Sequence, residues 1–395
     1  MDAAPVFPYQ SLHEAAPIQW STAHFGGAWL VTRHADVEMV LRDPRFSAQR
    51  TGAWVTQLAK VRGELSQFQR LFARALLFLD APDHPRIRRV LQAGFKPDLL
   101  HRLRPQIVSL VGELLDAVPA GGDFDFIDMV AKPLPARAIA LLLGTQTLAH
   151  DACMDWSEDL AGFIGAAQPT AQQARLAQRS LVAMARHFEG LLQHRRQHPG
   201  DDLVSRLLQA QQTGGIRGDA ELLAQCAMLL FAGYETTRHA LGNGLHALLH
   251  HPAQWSLLQQ QPERMPAAVQ ELLRFESPVQ YTGRRVRTGL VLHGQHLRRG
   301  DLVLAMVGAA NRDPARYTQP NRLDISRCEG GSLSFGCGAH SCIGAALTRM
   351  EMEQVFLQVH KRWPRLGLVE AHPHWINRPA YRGLQRLLVR PGEPD

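Results

Sequence analysis

The sequence contains few cysteines, and their number is odd. Five cysteines are distributed over 395 residues. They are Cys153, Cys226, Cys328, Cys337 and Cys342. A large chain with so few cysteines is not a disulfide scaffold, so we expect free thiols and a reducing, cytoplasmic compartment.

The sequence also lacks long apolar runs and a recognisable leader. Its longest apolar stretch lies near Cys226–Tyr234 and is much shorter than the roughly 20 residues that cross a bilayer. The first ten residues, MDAAPVFPYQ, have no basic segment followed by an apolar one, so no secretory signal is expected. We therefore expect a soluble protein with no membrane partner.

Charge of one sign is not concentrated in any long segment. The 43 Lys and Arg residues outnumber the 36 Asp and Glu residues and give a net charge of +7. The basic residues are scattered among acidic ones, and the densest cluster, around His194–Arg196, is short. This pattern does not favour nucleic acid as a partner. An anionic ligand or an acidic protein partner fits it better.

Helical periodicity is the main signal that is present. Strand signals are confined to Thr22–Thr32, which looks like a hairpin, and to Val286–Val307. Four clear helical segments are Pro105–Val118, Ala171–His198, Ala220–His250 and Ala345–Trp363. The Gly/Pro-rich breaks between segments are short, as loops are. We predict a mainly α chain with a small β part, folded as one domain over residues 1–395.

The longest helical segment, Asp219–His250, carries polar residues at its centre. About 30 residues make a rod of roughly 45 Å, which is long enough to cross the molecule. The segment is apolar nearly all round from Leu222 to Phe231, so we expect it to be buried. An acid beside an alcohol, Glu235 and Thr236, is costly in a buried helix unless the protein uses the pair.

The most unusual stretch is FGCGAHSCIG, at residues 335–344. A zinc site usually has two spaced pairs of ligands, whereas Cys337, His340 and Cys342 are crowded and have no second pair. A Cys337–Cys342 disulfide is disfavoured in a reducing compartment. The remaining alternative is a single thiolate at Cys342, whose pKa the start of the following helix would lower. Glycines would let this backbone lie against a flat ligand, which suits a haem iron.

This stretch resembles the cysteine-ligand loop of the cytochrome P450 monooxygenases, FGxGxHxCxG, at every fixed position. The resemblance implies haem b as the cofactor, with Cys342 as the iron ligand and His340 paired with a haem propionate. The other loop residues that would contact the haem are Phe335, Gly336 and Gly344. The implied fold is a triangular helical prism whose long central helix crosses over the haem.

The centre of the long helix carries a second motif of the family. The stretch AGYETT, from Ala232 to Thr237, resembles AGxET(T). By this resemblance Ala232 adjoins the haem, and Glu235 and Thr236 are the catalytic acid and alcohol on its distal side. Thr236 would hydrogen-bond to dioxygen or to a water beside it, and Glu235 would relay protons from solvent.

Other matches lie outside the loop and the long helix. Glu271 and Arg274 fit the motif ExxR, although such a pair alone is an ordinary helix ion pair. The following segment PNRL resembles the one that donates a second arginine, here Arg322, to that structural pair. The segment DHPRIR resembles DHxxxR and assigns His84 and Arg88 to the haem propionates.

The resemblance also implies that one of two neighbouring arginines in GRRV pairs with a haem propionate, and the sequence does not decide which one. Arg284 fits the family position best, and Arg285 is its rival. Arginine suits this role because its guanidinium forms bidentate pairs with carboxylates.

The resemblance, which runs from about Ala35 to Val389, implies an activity. The enzyme would insert one oxygen atom from O2 into a lipophilic small molecule by hydroxylation or epoxidation, in secondary metabolism. Because the stretch after Cys342 is too short for a fused reductase, electrons would come from a separate ferredoxin and ferredoxin reductase, or from flavodoxin. We expect a monomer. The alternatives are a peroxide-driven peroxygenase, which the Glu235–Thr236 pair disfavours, and a non-catalytic haem protein, which needs no proton relay.

Substrate contacts are the least defined part of the prediction. By analogy, Thr51–Leu77 and Asp151–Arg186 close over the substrate. Apolar candidates for the pocket, each equally suited to the core, are Phe163, Ile164, Phe231, Val279, Tyr281 and Leu71–Leu79.

Overall fold

The computed structural model describes residues 9–50, 66–119, 121–145, 150–370 and 372–392. The part of the predicted substrate-closing segment Thr51–Leu77 that precedes residue 66 lies outside the described residues. Within the described ranges there are fourteen α-helices and ten short β-strands. The predicted mainly α fold with a small β part is confirmed.

The helices supply most of the molecule and are separated by short connections. In chain order they are α1 Tyr9–Glu14, α2 His34–Arg42, α3 Ser66–Phe72, α4 Asp83–Gln92, α5 Pro97–Asp116, α6 Pro133–Leu143, α7 His150–Ile164, α8 Ala171–Gln197, α9 Leu203–Gln212, α10 Gly218–His250, α11 Pro252–Gln260, α12 Met265–Phe275, α13 Val307–Ala310 and α14 Ala345–Arg362.

The strands form one five-stranded sheet and two smaller ones. In chain order they are β1 Ile18–Ser21, β2 Ala28–Val31, β3 Phe46–Ser47, β4 Phe124–Asp125, β5 Thr282–Val286, β6 Leu290–Leu292, β7 Gln295–Leu297, β8 Leu302–Ala305, β9 Gly367–Leu368 and β10 Leu388–Arg390. The large sheet has the order β1-β2-β8-β5-β3. Only the β2–β8 pair in it is parallel. The sheet places β5, with Arg284, beside the centre of the molecule.

The sequence located the long helices well, with one clear error at a helix start. The predicted segments Ala171–His198 and Ala345–Trp363 agree with α8 and α14 to within a residue. The segment predicted from Pro105 begins at Pro97 instead, and Pro105 lies inside α5. A proline is common in the first turn of a helix, and here Pro97 fills that position.

The central helix α10 is continuous from Gly218 to His250 and passes through the polar residues at its centre without a break. Most of its residues are buried, and it packs against α6, α7, α8, α12 and α14. Its start lies at Gly218, so Asp219 belongs to the first turn and does not cap the helix. At that position its carboxylate still faces the positive end of the helix dipole. This helix forms one wall of the site described below.

Among the described residues, no helix is both long enough and apolar enough to pass through a bilayer.

Candidate active site

The loop FGCGAHSCIG folds back on itself just before α14. The Cys342 N–H donates to the carbonyl of Phe335 at 2.8 Å, and the Ser341 N–H donates to Gly338 O at 3.1 Å. Gly336 has a φ of 63° and Gly338 a φ of 70°, which is left-handed backbone that glycine adopts without strain. The loop therefore presents residue 342 at its end, directly before the helix.

The thiol of Cys342 faces an internal cavity. The side chain is surrounded by protein, which desolvates the thiol, and its accessible surface faces this internal space. The space has two adjoining parts. The first, which we call the slot, lies between the loop and α10. Its lining includes Arg88, Met228, Arg284, Leu333, Gly336, His340, Ser341 and Ile343. The second, which we call the chamber, includes Arg50, Ile164, Phe231, Thr236, Tyr281, Ala380 and Tyr381. Cys342, Ala232, Phe335 and Val279 line both parts.

The two polar residues at the centre of α10 point to different places. Thr236 lines the chamber, and its hydroxyl donates to Ala232 O at 3.1 Å. Glu235 is completely buried and does not line the chamber or the slot. Successive residues of a helix face different directions, so the acid and the alcohol cannot both face the cavity.

Glu235 is held by three cationic or titratable groups. Its Oε1 accepts from Arg378 Nη1 at 2.8 Å and contacts His239 Nε2 at 3.0 Å. Arg238 Nη1 lies 3.8 Å from its Oε2. Burial alone would raise the pKa of this carboxyl, but these neighbours outweigh burial and lower it to about 2. The side chain is therefore ionised at neutral pH.

Cationic side chains gather around the slot without matching carboxylates. Arg88 donates to Ser341 O at 2.8 Å and to Ser341 Oγ at 3.1 Å, which anchors the loop beside Cys342. Arg284 is buried. Its Nη1 donates to two neutral oxygens, Gly283 O and Thr282 Oγ1. No residue in the described ranges forms a salt bridge with Arg88 or Arg284. Burying an unpaired charge is costly, so the slot favours an anionic ligand.

Two histidines complete this positive cluster. The rings of His84 and His340 are 4.0 Å apart, centroid to centroid. The His84 Nε2 is buried without a hydrogen-bond partner. Burial, with added repulsion from Arg284 and His84, lowers the pKa of His340 to about 2. A neutral imidazole keeps one N–H donor, so both rings remain suited to donate to an oxygen ligand.

The second guanidinium of the ExxR ion pair is not the predicted one. Arg274 forms the expected bidentate pair with Glu271, at 2.7 and 2.8 Å. The residue that joins them is Arg327, whose Nε donates to Glu271 Oε1 at 3.1 Å. Arg322 is exposed, and only its carbonyl takes part, as an acceptor from Arg274 and Arg327. The prediction of Arg322 was therefore wrong. The chain turns at Asp324–Ser326, and the side chain that reaches Glu271 is that of Arg327, after the turn.

Of the two candidate arginines in GRRV, the structure places only Arg284 at the slot. Arg285 points the other way along β5 and donates to Gly300 O at 2.5 Å. Adjacent residues of a strand face opposite sides of the sheet. The rival Arg285 is therefore remote from the cavity.

The loop glycines have different surroundings. A Cβ on Gly344 would lie 4.0 Å from Cys342 Sγ, and Gly336 lines the slot. A Cβ on Gly338 would instead meet Leu41 O and Arg42 Cγ of α2, both at 3.2 Å. Gly338 is thus needed for packing against α2, while Gly336 leaves the slot open.

The start of the following helix lowers the pKa of Cys342 as expected, but burial outweighs it and the pKa is raised overall. Burial raises the pKa of this thiol, while the N–H groups of Gly344 and Ala345 and the charges of Arg88 and Arg349 act in the opposite direction. The sequence indicated the effect of the helix terminus but not the burial that outweighs it. The favourable contacts to sulfur are nevertheless those that the sequence indicated.

The zinc and disulfide alternatives are both wrong. All five cysteines are free. In the described part of the chain, His, Cys, Asp and Glu side chains do not come together in threes as metal ligands. Cys337 borders the slot on the α2 side, with its Sγ 3.8 Å from Glu38 O, whereas Cys342 lines both the slot and the chamber.

Comparison with known proteins gives the family. A family model described as Cytochrome P450 matches residues 145–363. Cytochrome P450 CYP107DY1 of Priestia megaterium is 36% identical over 376 residues, which cover 92% of this chain and 90% of the relative. The chain belongs to the cytochrome P450 family.

Two further P450s are informative. Mycinamicin IV hydroxylase/epoxidase of Micromonospora griseorubida is 34% identical, with 96% of this chain and 94% of the relative covered. The structure of myxobacterial cytochrome P450 CYP267B1 in complex with myristic acid has a TM-score of 0.89 and 31% identity, with 98% and 96% of the two chains covered. This P450 is a monooxygenase that uses haem b, and the predicted P450 fold is confirmed.

The slot fits that cofactor. Haem b carries two propionates, and the slot is bordered by Arg88 and Arg284, which form no salt bridge with a described residue. His84, whose Nε2 has no hydrogen-bond partner among the described residues, lies against the slot residue His340. Gly336 and Ala232 leave room on opposite sides for a flat ring. A thiol stands at the border of the slot for the iron. The residues therefore supply each kind of contact that an iron porphyrin needs.

Arg50 was missed by sequence reasoning. It is a buried cation that lines the chamber, and it lies just before the first gap in the described residues. The sequence gives no motif at this position, and an arginine near a loop is usually exposed. Of the predicted apolar candidates, Ile164, Phe231, Val279 and Tyr281 line the chamber, whereas Phe163 is fully buried in the core.

Proposed function

We propose that this P450 hydroxylates or epoxidises a lipophilic small molecule held in the chamber, with Cys342 as the iron ligand. One observation carries the proposal: the Cys342 thiol from the loop and the Thr236 side chain from α10 line the same largely apolar chamber. A substrate in the chamber would therefore lie near both the iron ligand, Cys342, and the hydroxyl of Thr236.

The proposed cofactor contacts follow from the lining of the slot. Arg88, Arg284, His84 and His340 bind the propionates. The haem faces are covered by Ala232 on the α10 side and by loop residues Phe335, Gly336 and Gly344 on the other. When bound, haem b supplies the iron at which dioxygen is activated. The thiolate of Cys342 donates electron density to that iron.

The proposed role of Thr236 is to position a proton in the chamber. Its hydroxyl donates to Ala232 O, a helix back-bond that Ser and Thr side chains commonly make. A hydroxyl can rotate to donate to a water or ligand oxygen and still accept a hydrogen bond. Thr236 is therefore the polar group of α10 that can serve the reacting molecules directly.

Glu235 acts at a distance in this proposal. It is ionised and held by Arg378, whose side chain is 23% exposed and so links the buried carboxylate to the surface. We propose that Glu235 relays protons from this side of α10 toward Thr236 and orients the helix through its ion pairs. Because it does not line the chamber, Glu235 does not touch substrate.

The proposed substrate is a medium-sized or large apolar molecule. Side chains from α7, α10, β8 and the C-terminal segment line the chamber and exclude water, among them Ile164, Phe231, Leu304 and Ala380. Two of the relatives named above are a mycinamicin IV hydroxylase/epoxidase and a P450 whose structure is a complex with myristic acid. Both kinds of molecule are compatible with such a lining.

The proposed electron donors are a ferredoxin with its reductase, or flavodoxin. The chain carries an excess of positive charge, which favours encounter with an acidic donor protein. We propose a monomeric enzyme that meets this donor transiently.

The test of the proposed chemistry is the coupling of electron use to product formation. Thr236→Ala should bind haem normally but divert electrons to hydrogen peroxide, because the chamber loses its positioned hydroxyl. Thr236→Ser keeps the hydroxyl and should restore most of the coupling. The measurement compares NADPH consumed, peroxide formed and product formed. Full coupling in Thr236→Ala would contradict the role of Thr236.

A further inference from the structure

Arg50 lines a different part of the cavity from the other cations, although it is near enough to Arg284 and His340 for their charges to repel. Arg88, Arg284 and His340 line the slot and not the chamber, whereas Arg50 lines the chamber and not the slot. Arg50 follows β3, and its Cδ would lie 3.0 Å from a Cβ on Gly283 of β5. Arg284 of β5 and Arg50, which follows the neighbouring strand β3, thus reach adjoining parts of the cavity, the slot and the chamber.

The guanidinium of Arg50 is buried and poorly satisfied. The residue is 9% exposed. Its Nη1 donates to Ala48 O at 3.2 Å and to Leu77 O at 3.5 Å, and the described residues contribute no carboxylate within ion-pair distance. An arginine has five N–H donors, so most of them have no acceptor in the described structure.

The electrostatic surroundings make this cation unfavourable without an anion. Burial and repulsion by Arg284 lower the pKa of Arg50 to about 9. The ring of Phe78 lies 4.8 Å below the guanidinium carbon and supports it by a cation–π contact, but a ring does not neutralise the charge. Tyr381, which lines the same chamber, interacts with Arg50 and adds a phenol hydroxyl near it.

The remainder of the chamber is apolar. Phe25, Leu77, Ile164, Phe231, Leu302 and Leu304 are among its lining residues. A molecule that fills such a space and satisfies Arg50 has an apolar body and one anionic end. Carboxylates form bidentate hydrogen bonds with a guanidinium, and these charge-assisted bonds are about twice as strong as neutral ones.

We propose that Arg50 binds the carboxylate of an amphipathic organic acid and makes it the preferred substrate class. The proposal rests on the proposed function, since it places the acid in the chamber beside Thr236 and Cys342. The carboxylate is held at the β5 side of the chamber, so oxidation falls on the apolar body of the molecule and not on the anionic end.

The test is a binding comparison on the haem-loaded enzyme at pH 7.5. Dodecanoic acid and its methyl ester have the same chain and differ in charge at the end. Dissociation constants are measured from the optical change when the iron's water is displaced, and again by calorimetry, which does not depend on iron ligation. The variants are Arg50→Leu, Arg50→Gln and Arg50→Lys. Arg179→Leu, an exposed position on α8, is the matched control.

The wild type should bind the acid about tenfold or more tightly than the ester, as expected for one charge-assisted contact. Arg50→Leu and Arg50→Gln should lose that preference and bind the ester within about twofold of wild type. Arg50→Lys should retain part of it, because an ammonium keeps the charge but not the bidentate fork. Arg179→Leu should behave as wild type.

Two results would overturn the proposal. The first is equal binding of acid and ester by the wild type, which needs no variant to fold. The second is a retained preference for the acid in Arg50→Leu; loss of haem from this variant in a pyridine haemochrome assay would then assign Arg50 to a haem propionate. If Cys342 were not the iron ligand, the calorimetric preference would persist, so the two proposals fail separately.

Discussion

At the scale of single residues, two buried glutamates have opposite electrostatic environments. Glu235 is surrounded by His239, Arg238 and Arg378, which outweigh burial and lower its pKa. Glu351 of α14 is equally buried, its Oε2 has no hydrogen-bond partner, and burial raises its pKa well above 4.5. The first should stabilise the folded protein when ionised, and the second should destabilise it.

This contrast predicts opposite pH profiles for two matched variants. Above the ordinary glutamate pKa of 4.5, an ionised Glu351 favours the unfolded chain, whereas an ionised Glu235 favours the folded one. Glu351→Gln should therefore raise the free energy of unfolding at pH 8, and Glu235→Gln should lower it. The Glu351→Gln difference should shrink as the pH falls from 8 toward 4.5, because the buried carboxyl is then protonated in both states. The Glu235→Gln difference should persist at pH 5, because its folded pKa is about 2 and its contribution is lost only below about pH 4.5. Urea unfolding at pH 5 and pH 8 measures them, and the same sign in both variants would contradict the assignment.

Two arginines near the ExxR pair give a second prediction at this scale. Arg327→Ala removes an 8% exposed side chain from a 3% exposed Glu271 and should cost about 3–5 kcal/mol, because a buried charge loses a partner. Arg322→Ala removes an exposed side chain and should stay within about 0.5 kcal/mol of wild type. Urea unfolding compares them. If Arg322→Ala lost more unfolding free energy than Arg327→Ala, Arg322 would be the second arginine of the ExxR pair, as the sequence predicted.

The same residues show why the sequence predicts some contacts and not others. The ExxR pair is local, since i and i+3 on a helix are always neighbours, and Arg274 pairs with Glu271 as predicted. The second arginine depends on the path of an irregular loop, which the spacing of PNRL does not determine. Arg50 depends on two strands that are far apart in sequence, β3 and β5, and no local pattern could indicate that its side chain would be buried in the chamber.

At the scale of elements, the central helix depends on its glycines for close packing. A Cβ on Gly244 would lie 2.8 Å from Phe356 Cζ of α14, and a Cβ on Gly242 would lie 2.5 Å from Ile127 Cδ1. Phe356 is fully buried, so it cannot move away without disturbing the core. Glycine has a low helix propensity. Its use here is explained by the packing, because only a residue without a Cβ lets α10 approach its neighbours this closely.

This packing predicts that two glycine-to-alanine substitutions change the free energy of unfolding in opposite directions. Gly244→Ala should destabilise the protein by about 1–3 kcal/mol through overpacking. Gly190→Ala in α8 meets nothing within 4 Å of the added Cβ and should stabilise it by about 0.4–1 kcal/mol through the unfolded chain. Thermal or urea unfolding of both variants is the measurement. Stabilisation by Gly244→Ala would show that α10 is packed less closely.

The positions of the long helices could be predicted from the sequence more accurately than the limits of the short strands. The long amphipathic or apolar helices α8, α10 and α14 follow from periodicity over 18 or more residues. The hairpin predicted over Thr22–Thr32 has its strands at Ile18–Ser21 and Ala28–Val31, because the turn occupies residues that the pattern assigned to the strands. Short strands lack enough residues to fix their limits by alternation alone.

At the scale of the whole molecule, the sequence motifs and the fold agree on one cavity. The segments at Arg88, Thr236, Arg284 and Cys342 are far apart in the chain, yet their side chains all line the slot or the chamber. The agreement comes from the P450 resemblance, since composition and periodicity alone do not bring these segments together. One domain over residues 1–395 stays a prediction.

The net charge of the molecule gives a prediction for electron transfer. With a charge of +7, the P450 should be reduced more slowly by an acidic ferredoxin as salt is added, because screening shortens the reach of its field to about 10 Å at 0.1 M. Stopped-flow reduction from low to high ionic strength measures this effect. A rate that does not change with salt would contradict an acidic donor.

The central claim is that the sulfur of Cys342 binds the haem iron, and the ferrous carbon-monoxide spectrum tests it most directly. The account predicts that the wild type and Cys337→Ser, the matched control from the same loop, show the red-shifted Soret band of thiolate ligation. Cys342→Ser should lose this band and the monooxygenase activity. A Cys342→Ser protein with an unchanged spectrum would contradict the account.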